Sequence, residues 1–143
     1  MSTADPFELE RFVTAQTPVF RTVLAELKAG KKRSHWMWYI FPQLRGLGNS
    51  ATAQRYGLLS LEEARAYLAH ALLGPRLALC TETVMESTAV SLAELFGSPD
   101  DLKFRSSMTL FAVASDDKNL FQGALERWCH GQRDERTLRL LSA

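Results

Sequence analysis

KKRSHWMWYIFPQ, residues 31–43, carries two of the chain's three tryptophans, one of its three histidines and three consecutive cations. Ser34 is placed to cap a short helix that runs through Phe41, and Pro42 disfavours helical backbone at the residue before it. A helix with aromatic and apolar groups on nearly every side is either buried or divided between core and pocket wall. We therefore expect the rest of the chain to pack around these residues.

Helix start signals recur along the rest of the chain. Capping boxes begin at Ser60 and Ser91, and prolines suited to a first helical turn follow Asp5, Thr17 and Ser98. A β-strand is typically a run of about four to eight residues in which apolar and polar side chains alternate. Apart from the aromatic stretch, no run in this sequence shows that alternation. These signals predict an all-α fold, a compact single-domain bundle of seven to nine short helices over residues 1–143.

Two helices in the C-terminal half receive more specific predictions. The helix after Pro99 is predicted to be mostly buried, and the next helix is predicted to start at Asp116 or Asp117 and to stop at Gly131. The residues expected to bury the first of these helices are Leu102, Met108, Leu110, Phe111 and Val113.

Bulk composition excludes several classes of protein. The 143 residues are 46% hydrophobic and 23% charged, which is ordinary for a globular domain, and the net charge of +1 favours neither nucleic acid nor a membrane surface. Cys80 and Cys129 match no metal or redox spacing, so we expect buried free thiols. Without a run of about 18 apolar residues or a signal-peptide pattern, the sequence predicts a cytoplasmic protein with no membrane partner.

One local charge asymmetry stands out. Between Glu26 and Glu62 every formal charge is positive. A solvated basic face would explain it, and so would a phosphate-facing rim for a nucleotide or a single-stranded nucleic acid that stacks on Trp36 or Trp38. The loop 46–50 could add backbone donors to that rim. The cations nearest the aromatic stretch are Lys28, Lys31, Lys32, Arg33 and Arg45.

A second group of polar side chains lies on the helix after Pro99. Lys103, Ser106 and Ser107 are three and four residues apart, so they share one side of an otherwise apolar helix. Polar groups on a buried helix need partners, so these three either bond to other helices or bind an anion. A nucleophilic serine–lysine pair would use the same spacing. His35 is either a structural histidine or a proton carrier for a ligand.

Long motifs in this chain resemble a known family. KRSHWMWYIFPQ at 32–43 and FGSPDDLKFRSSMTLF at 96–111 are similar to a bacterial family catalogued as a domain of unknown function, number 1810. The resemblance covers nearly the whole chain and implies a compact multihelical domain, but it carries no activity. Some members bear a calpastatin label, which does not fit, because calpastatins are disordered. A fainter similarity around Glu63 and Phe96 links the chain to N-glycosidases that act on phosphorylated ribosides.

Three functional hypotheses follow. The first is a pocket for a phosphorylated or nucleotide-like small molecule, with an N-glycosidase-type hydrolase as its enzymatic form, and it requires the Trp36 and Lys103 regions to meet. The second is a single-stranded nucleic-acid-binding module that uses residues 28–45, and the third is a structural or partner-binding helical domain. No cofactor or metal is predicted. In the first hypothesis the anion is held by Arg33, Lys103, Ser106 and Ser107, the ring stacks on Trp36 or Trp38, and protons are transferred by His35 or Asp101.

Overall fold

The computed structural model describes residues 5–115 and 119–142. Within them the chain forms ten α-helices and no strand, which confirms the all-α prediction. Seven to nine helices were expected, and the higher number includes two very short ones, α3 and α7, of four and five residues. The helices are α1 (Glu10–Gln16), α2 (Phe20–Lys28), α3 (Met37–Ile40), α4 (Ala51–Tyr56), α5 (Leu61–Ala69), α6 (Leu73–Met85), α7 (Leu92–Phe96), α8 (Asp100–Ala114), α9 (Leu120–Cys129) and α10 (Glu135–Ser142).

Helix α8 lies at the centre of the molecule. It packs against α5, α7, α9 and α10, and every residue from Ser106 to Ala112 is buried. A helix buried on all sides needs neighbours on all sides, which the four surrounding helices supply. The prediction that Leu102 joins this buried surface is wrong, because Leu102 sits in the first turn, where it is 58% exposed. Val113, near the other end, is half-buried.

Aromatic side chains join the 31–43 stretch to α7 and α8. The rings of Phe96 and Phe104 stack with centroids 5.0 Å apart, and the Phe41 ring meets the Phe104 ring edge-on at 5.1 Å. Trp36 completes the cluster, with its ring 6.4 Å from that of Phe96. Edge-on and stacked pairs at these distances are the favoured aromatic geometries. The cluster therefore fixes the aromatic stretch against the central helix.

The helix predicted to begin at Ser34 begins later, at Met37, with Trp36 as its N-cap. The Ser34 hydroxyl does not cap it, because that hydroxyl donates to Glu26 Oε2 at 2.5 Å. Glu26 Oε1 accepts from the backbone N–H groups of Arg33 and Ser34, at 2.8 and 3.0 Å, and from Trp36 Nε1 at 2.9 Å. The buried Glu26 carboxylate on α2 thus shapes the loop between α2 and α3.

The pKa of Glu26 leads to a prediction about acid stability. Burial alone would raise this pKa, but the hydrogen bonds from Ser34, Arg33 and Trp36 lower it from 4.5 to about 2. A carboxyl whose pKa is depressed by folding stabilises the protein above its unfolded pKa, and that stabilisation is lost as the pH falls through its folded pKa. Here the loss falls between pH 4.5 and about 2. We expect Glu26→Gln, which carries no charge, to lose less unfolding free energy than wild type across this window in urea titrations. Equal losses in the two proteins would contradict this assignment.

The remaining sequence predictions concern thiols, a helix start and the membrane. Cys80 and Cys129 are both free, as predicted, and burial raises the pKa of the Cys80 thiol to about 12. The prediction that both are buried is wrong for Cys129, which is half-buried. The predicted start at Asp116 or Asp117 lies outside the described residues, and α9 begins at Leu120. None of the helices in 5–115 and 119–142 has the length and apolar character needed to cross a membrane.

Candidate functional site: a pocket beside Trp38

The aromatic stretch and helix α8 meet through three charged side chains. Lys103 Nζ lies 4.0 Å from the centre of the Trp38 ring and 3.0 Å from Asp100 Oδ1. The other oxygen of Asp100 lies 2.9 Å from the Nζ atom of Lys32. Burial alone would raise the pKa of Asp100, but the hydrogen bonds from the two lysines lower it below its usual value. Asp100 is therefore ionised and shared between the two segments, and the meeting required by the first hypothesis occurs.

A pocket of about 350 Å³ opens where these segments meet. Its volume lies within the range of about 300–1,000 Å³ usual for small-molecule sites. Its walls come from α3, the segment between α3 and α4, the first half of α8, and the region around the start of α10, and most of the wall surface is apolar. The lining residues are Trp38, Gln43, Leu47, Gly48, Pro99, Leu102, Lys103, Arg105, Ser106, Asp134 and Arg136.

Three of the lining side chains are cations: Lys103, Arg105 and Arg136. Arg105 is held in place by two backbone carbonyls, since its Nε donates to Gln132 at 2.9 Å and its Nη2 donates to Arg133 at 3.0 Å. Neutral carbonyls fix the guanidinium without cancelling its charge. The pocket is therefore positive, with one arginine already oriented before any ligand arrives.

Asp134 is the one acid among the lining residues that the structure describes. Its backbone N–H donates to Thr109 Oγ1 at 2.8 Å, which ties the start of α10 to the central helix. Its Oδ2 accepts from the backbone N–H of Thr137 at 3.0 Å and from the Thr137 hydroxyl at 2.6 Å. Oδ1 makes no hydrogen bond with the described residues, so one carboxylate oxygen stays available to a ligand or a water.

Gln43 and Ser106 supply the uncharged polar groups of the pocket. Gln43 is only 8% exposed, and its side-chain amide has no hydrogen-bond partner in 5–115 or 119–142. Its backbone is fixed, because its carbonyl accepts from Leu58 N at 2.9 Å. The Ser106 hydroxyl donates to the Leu102 carbonyl at 3.1 Å, which leaves its oxygen free to accept. Both groups can therefore hydrogen-bond a ligand.

Three residues predicted to hold a ligand lie elsewhere. Trp36 is 1% exposed and its indole N–H is bonded to Glu26, so it offers no face for stacking. Ser107 is fully buried, and its hydroxyl has neither a partner among the described residues nor a place in the pocket wall. Arg33 is exposed and outside the wall. Of the predicted ligand-binding residues, the structure brings together Trp38, Lys103 and Ser106.

The two predicted proton carriers also lie outside this pocket. His35 is exposed, and its backbone carbonyl faces the Tyr39 hydroxyl at 3.5 Å. Asp101 lines a neighbouring pocket of about 290 Å³ with Cys129 and His130, and its Oδ1 is sealed from solvent without a partner in the described chain. No group of three or more metal-ligating side chains occurs within 5–115 and 119–142.

Comparison with known proteins places the chain in a family. A family model described as "Protein of unknown function (DUF1810)" matches residues 6–141. The chain belongs to this DUF1810 family. It is also similar to the conserved hypothetical protein Rv1873 from Mycobacterium tuberculosis, whose crystal structure it matches with a TM-score of 0.94 and 57% identity. That match covers 97% of this chain and 99% of the other. No curated protein matches significantly.

Sequence reasoning missed four polar or charged pocket residues of this DUF1810 chain: Gln43, Arg105, Asp134 and Arg136. Arg105 and Gln43 lie inside the two motifs that carry the family resemblance, so their neighbourhood was marked but their roles were not. Asp134 and Arg136 reach the pocket only because α10 packs on α8. No local pattern in the sequence predicts that contact.

Proposed function

We propose that the pocket beside Trp38 binds an anionic small molecule that carries a flat ring, of the phosphorylated or nucleotide-like class. The observation that carries this proposal is the convergence of Lys103, Arg105 and Arg136 with Trp38 on one pocket that holds a single acid. Cations at a partly enclosed, largely apolar site attract an anion more strongly than cations in open water do. Arginine forks also match phosphate and carboxylate oxygens in pairs.

Lys103 would change partners when such a ligand enters. Its ammonium now rests on the Trp38 ring, a cation–π contact that contributes roughly 0.5–2 kcal/mol depending on solvation. A ring stacked on that face takes the place of the ammonium, which then pairs with the ligand's anionic group. Asp100 keeps its second oxygen on Lys32. The exchange therefore leaves no charge of the pair unpartnered.

A hydrolase of the N-glycosidase type is the enzymatic form of this proposal. Since His35 and Asp101 lie outside the pocket, the proton carrier in this form is Asp134, whose Oδ1 is uncommitted. Asp134 would take a proton from a water molecule as that water adds to the anomeric carbon. The bond from that carbon to the base nitrogen breaks with its electron pair on the nitrogen, which takes up a proton from solvent water, and Asp134 afterwards releases its proton to solvent. The faint resemblance to N-glycosidases supports the class of reaction only.

The nucleic-acid hypothesis finds less support in the geometry. A single-strand site needs exposed rings beside exposed cations. Lys28, Lys31 and Arg33 are exposed, but Trp36 is buried, and none of these three cations lines the pocket that Trp38 lines. The exposed cations of this stretch therefore lack a stacking platform.

Thermal-shift measurements with ribose 5-phosphate, phenyl phosphate, AMP and UMP test the proposal. At a ligand concentration 100 times the dissociation constant, binding adds about 2.7 kcal/mol to stability, a shift of several degrees. We expect the shift in wild type and a much smaller one in Lys103→Met, which keeps the aliphatic stem. Lys28→Met and His35→Ala, both at exposed positions outside the pocket, serve as controls and should respond like wild type. No shift with any probe, or an undiminished shift in Lys103→Met, would refute the pocket as the anion site.

A further inference from the structure

We infer that Gln43 determines the specificity of this pocket by forming hydrogen bonds with one edge of the ligand's flat ring. The ring is therefore a heterocycle of the nucleobase kind. This inference rests on the proposed function and narrows its ligand class. The observation behind it is a glutamine that is more than nine-tenths buried, lines the pocket, and has a side-chain amide without a partner in the described chain.

The Gln43 amide still meets water in the free protein, because neither of its polar atoms is among the side-chain atoms that are sealed from solvent without a partner. A ligand that fills the pocket would displace that water. It must then supply the hydrogen bonds itself, since a buried amide left unpaired costs binding free energy. The residues that line both this pocket and the small adjoining cavity together with Gln43 are Trp38 and Gly48, and neither carries a charge that would call for an amide partner.

The chemistry of the amide defines the ring that would pair with it. A carboxamide presents one N–H donor and one carbonyl acceptor side by side. Nucleobases carry the complementary pair on their edges, and glutamine reads such an edge with two parallel hydrogen bonds. A plain phenyl ring has no such edge and would leave the amide unpaired.

The other lining residues are placed so that the ring and the anionic group of the ligand would occupy different ends of the pocket. Trp38 lines both the main pocket and a small adjoining cavity that Gln43 also lines, so the ring face and the amide share one end of the site. Arg105 and Asp134 line the main pocket and not that cavity. The ring therefore belongs beside Trp38 and Gln43, and the anionic group belongs toward the arginines.

Binding measurements on Gln43→Met test the inference. The probes are AMP and UMP, which have the edge, and phenyl phosphate, which has a ring and a phosphate without it. We expect wild type to bind at least one nucleotide roughly 5- to 150-fold more tightly than phenyl phosphate, the range that one two-bond edge contact provides. Gln43→Met should lose that preference and keep the wild-type affinity for phenyl phosphate. Gln54→Met, at an exposed glutamine outside this pocket, is the matched control.

Melting temperatures of the two variants separate this role from a structural one. Because the substitution removes an unpaired amide, Gln43→Met should melt at or above the wild-type temperature. A melting temperature several degrees below that of Gln54→Met would show that the amide stabilises the fold, and would overturn the inference. Equal wild-type affinity for all three probes would overturn the inference and leave the proposed function standing. Failure of all three to bind would refute both.

Discussion

Replacing Glu26 with alanine is expected to cost about 3 kcal/mol of unfolding free energy, because it strips a buried set of hydrogen-bond donors of their one acceptor. Trp36 Nε1 suffers most, since the indole is 1% exposed and the Glu26 carboxylate is its hydrogen-bond acceptor. The backbone N–H groups of Arg33 and Ser34 lose the same partner. Urea unfolding followed by far-ultraviolet circular dichroism measures the loss.

Glu86→Ala provides the matched control. Glu86 is exposed at the C-cap of α6, and a surface substitution of this kind changes stability by no more than about 0.5 kcal/mol. One ordinary hydrogen bond contributes roughly 1 kcal/mol. If the unfolding free energy of Glu26→Ala lies within about that amount of the control, the loop between α2 and α3 is held by other contacts.

Gly74→Ala is expected to destabilise the protein by about 3 kcal/mol, although alanine is the better helix former. Gly74 is the second residue of α6, where alanine would ordinarily be favoured. A Cβ atom at this position would lie 2.2 Å from the backbone oxygen of Leu68 and 3.1 Å from its carbonyl carbon. Backbone atoms at the end of α5 cannot move aside as a side chain would, so the junction of α5 and α6 has to open.

Gly123→Ala tests the same substitution without the clash. Gly123 lies inside α9, and among the described residues a Cβ there would meet only Met85 Cε, at an ordinary 3.7 Å. Helix propensity then decides, and the variant should be about 0.5–1 kcal/mol more stable than wild type. Thermal and urea unfolding of the two variants should therefore shift in opposite directions. A stabilised Gly74→Ala would contradict the close approach of the two helices.

Much of the helix pattern was predictable, because helix starts are decided by neighbours in sequence. Ser60 and Ser91 were predicted as caps, and each side chain accepts a hydrogen bond from the backbone N–H three residues on. Ser34 looked the same and failed as a cap. Its hydroxyl met a stronger acceptor, the Glu26 carboxylate, which comes from the preceding helix and is invisible to a local pattern.

The candidate site was predictable only in part, for a related reason. Lys103 and Ser106 were singled out because polar groups on a buried helix need an explanation, and that argument uses only their own helix. The choice between the two tryptophans depended on which one packs against Phe96, a contact across the fold. Asp134 and Arg136 line the pocket because α10 packs on α8. The charged sequence of α10 does not predict that contact.

Glu26 has a consequence for the ligand as well as for stability. By holding the indole of Trp36 in the core, the carboxylate fixes where the chain enters α3, and two residues later a helical backbone points its side chain to a different side. Trp38 therefore owes its place in the pocket wall to an acid on α2, a helix that contributes no lining residue. Anyone who redesigns this pocket for another ring can vary its walls, but must leave that distant carboxylate in place.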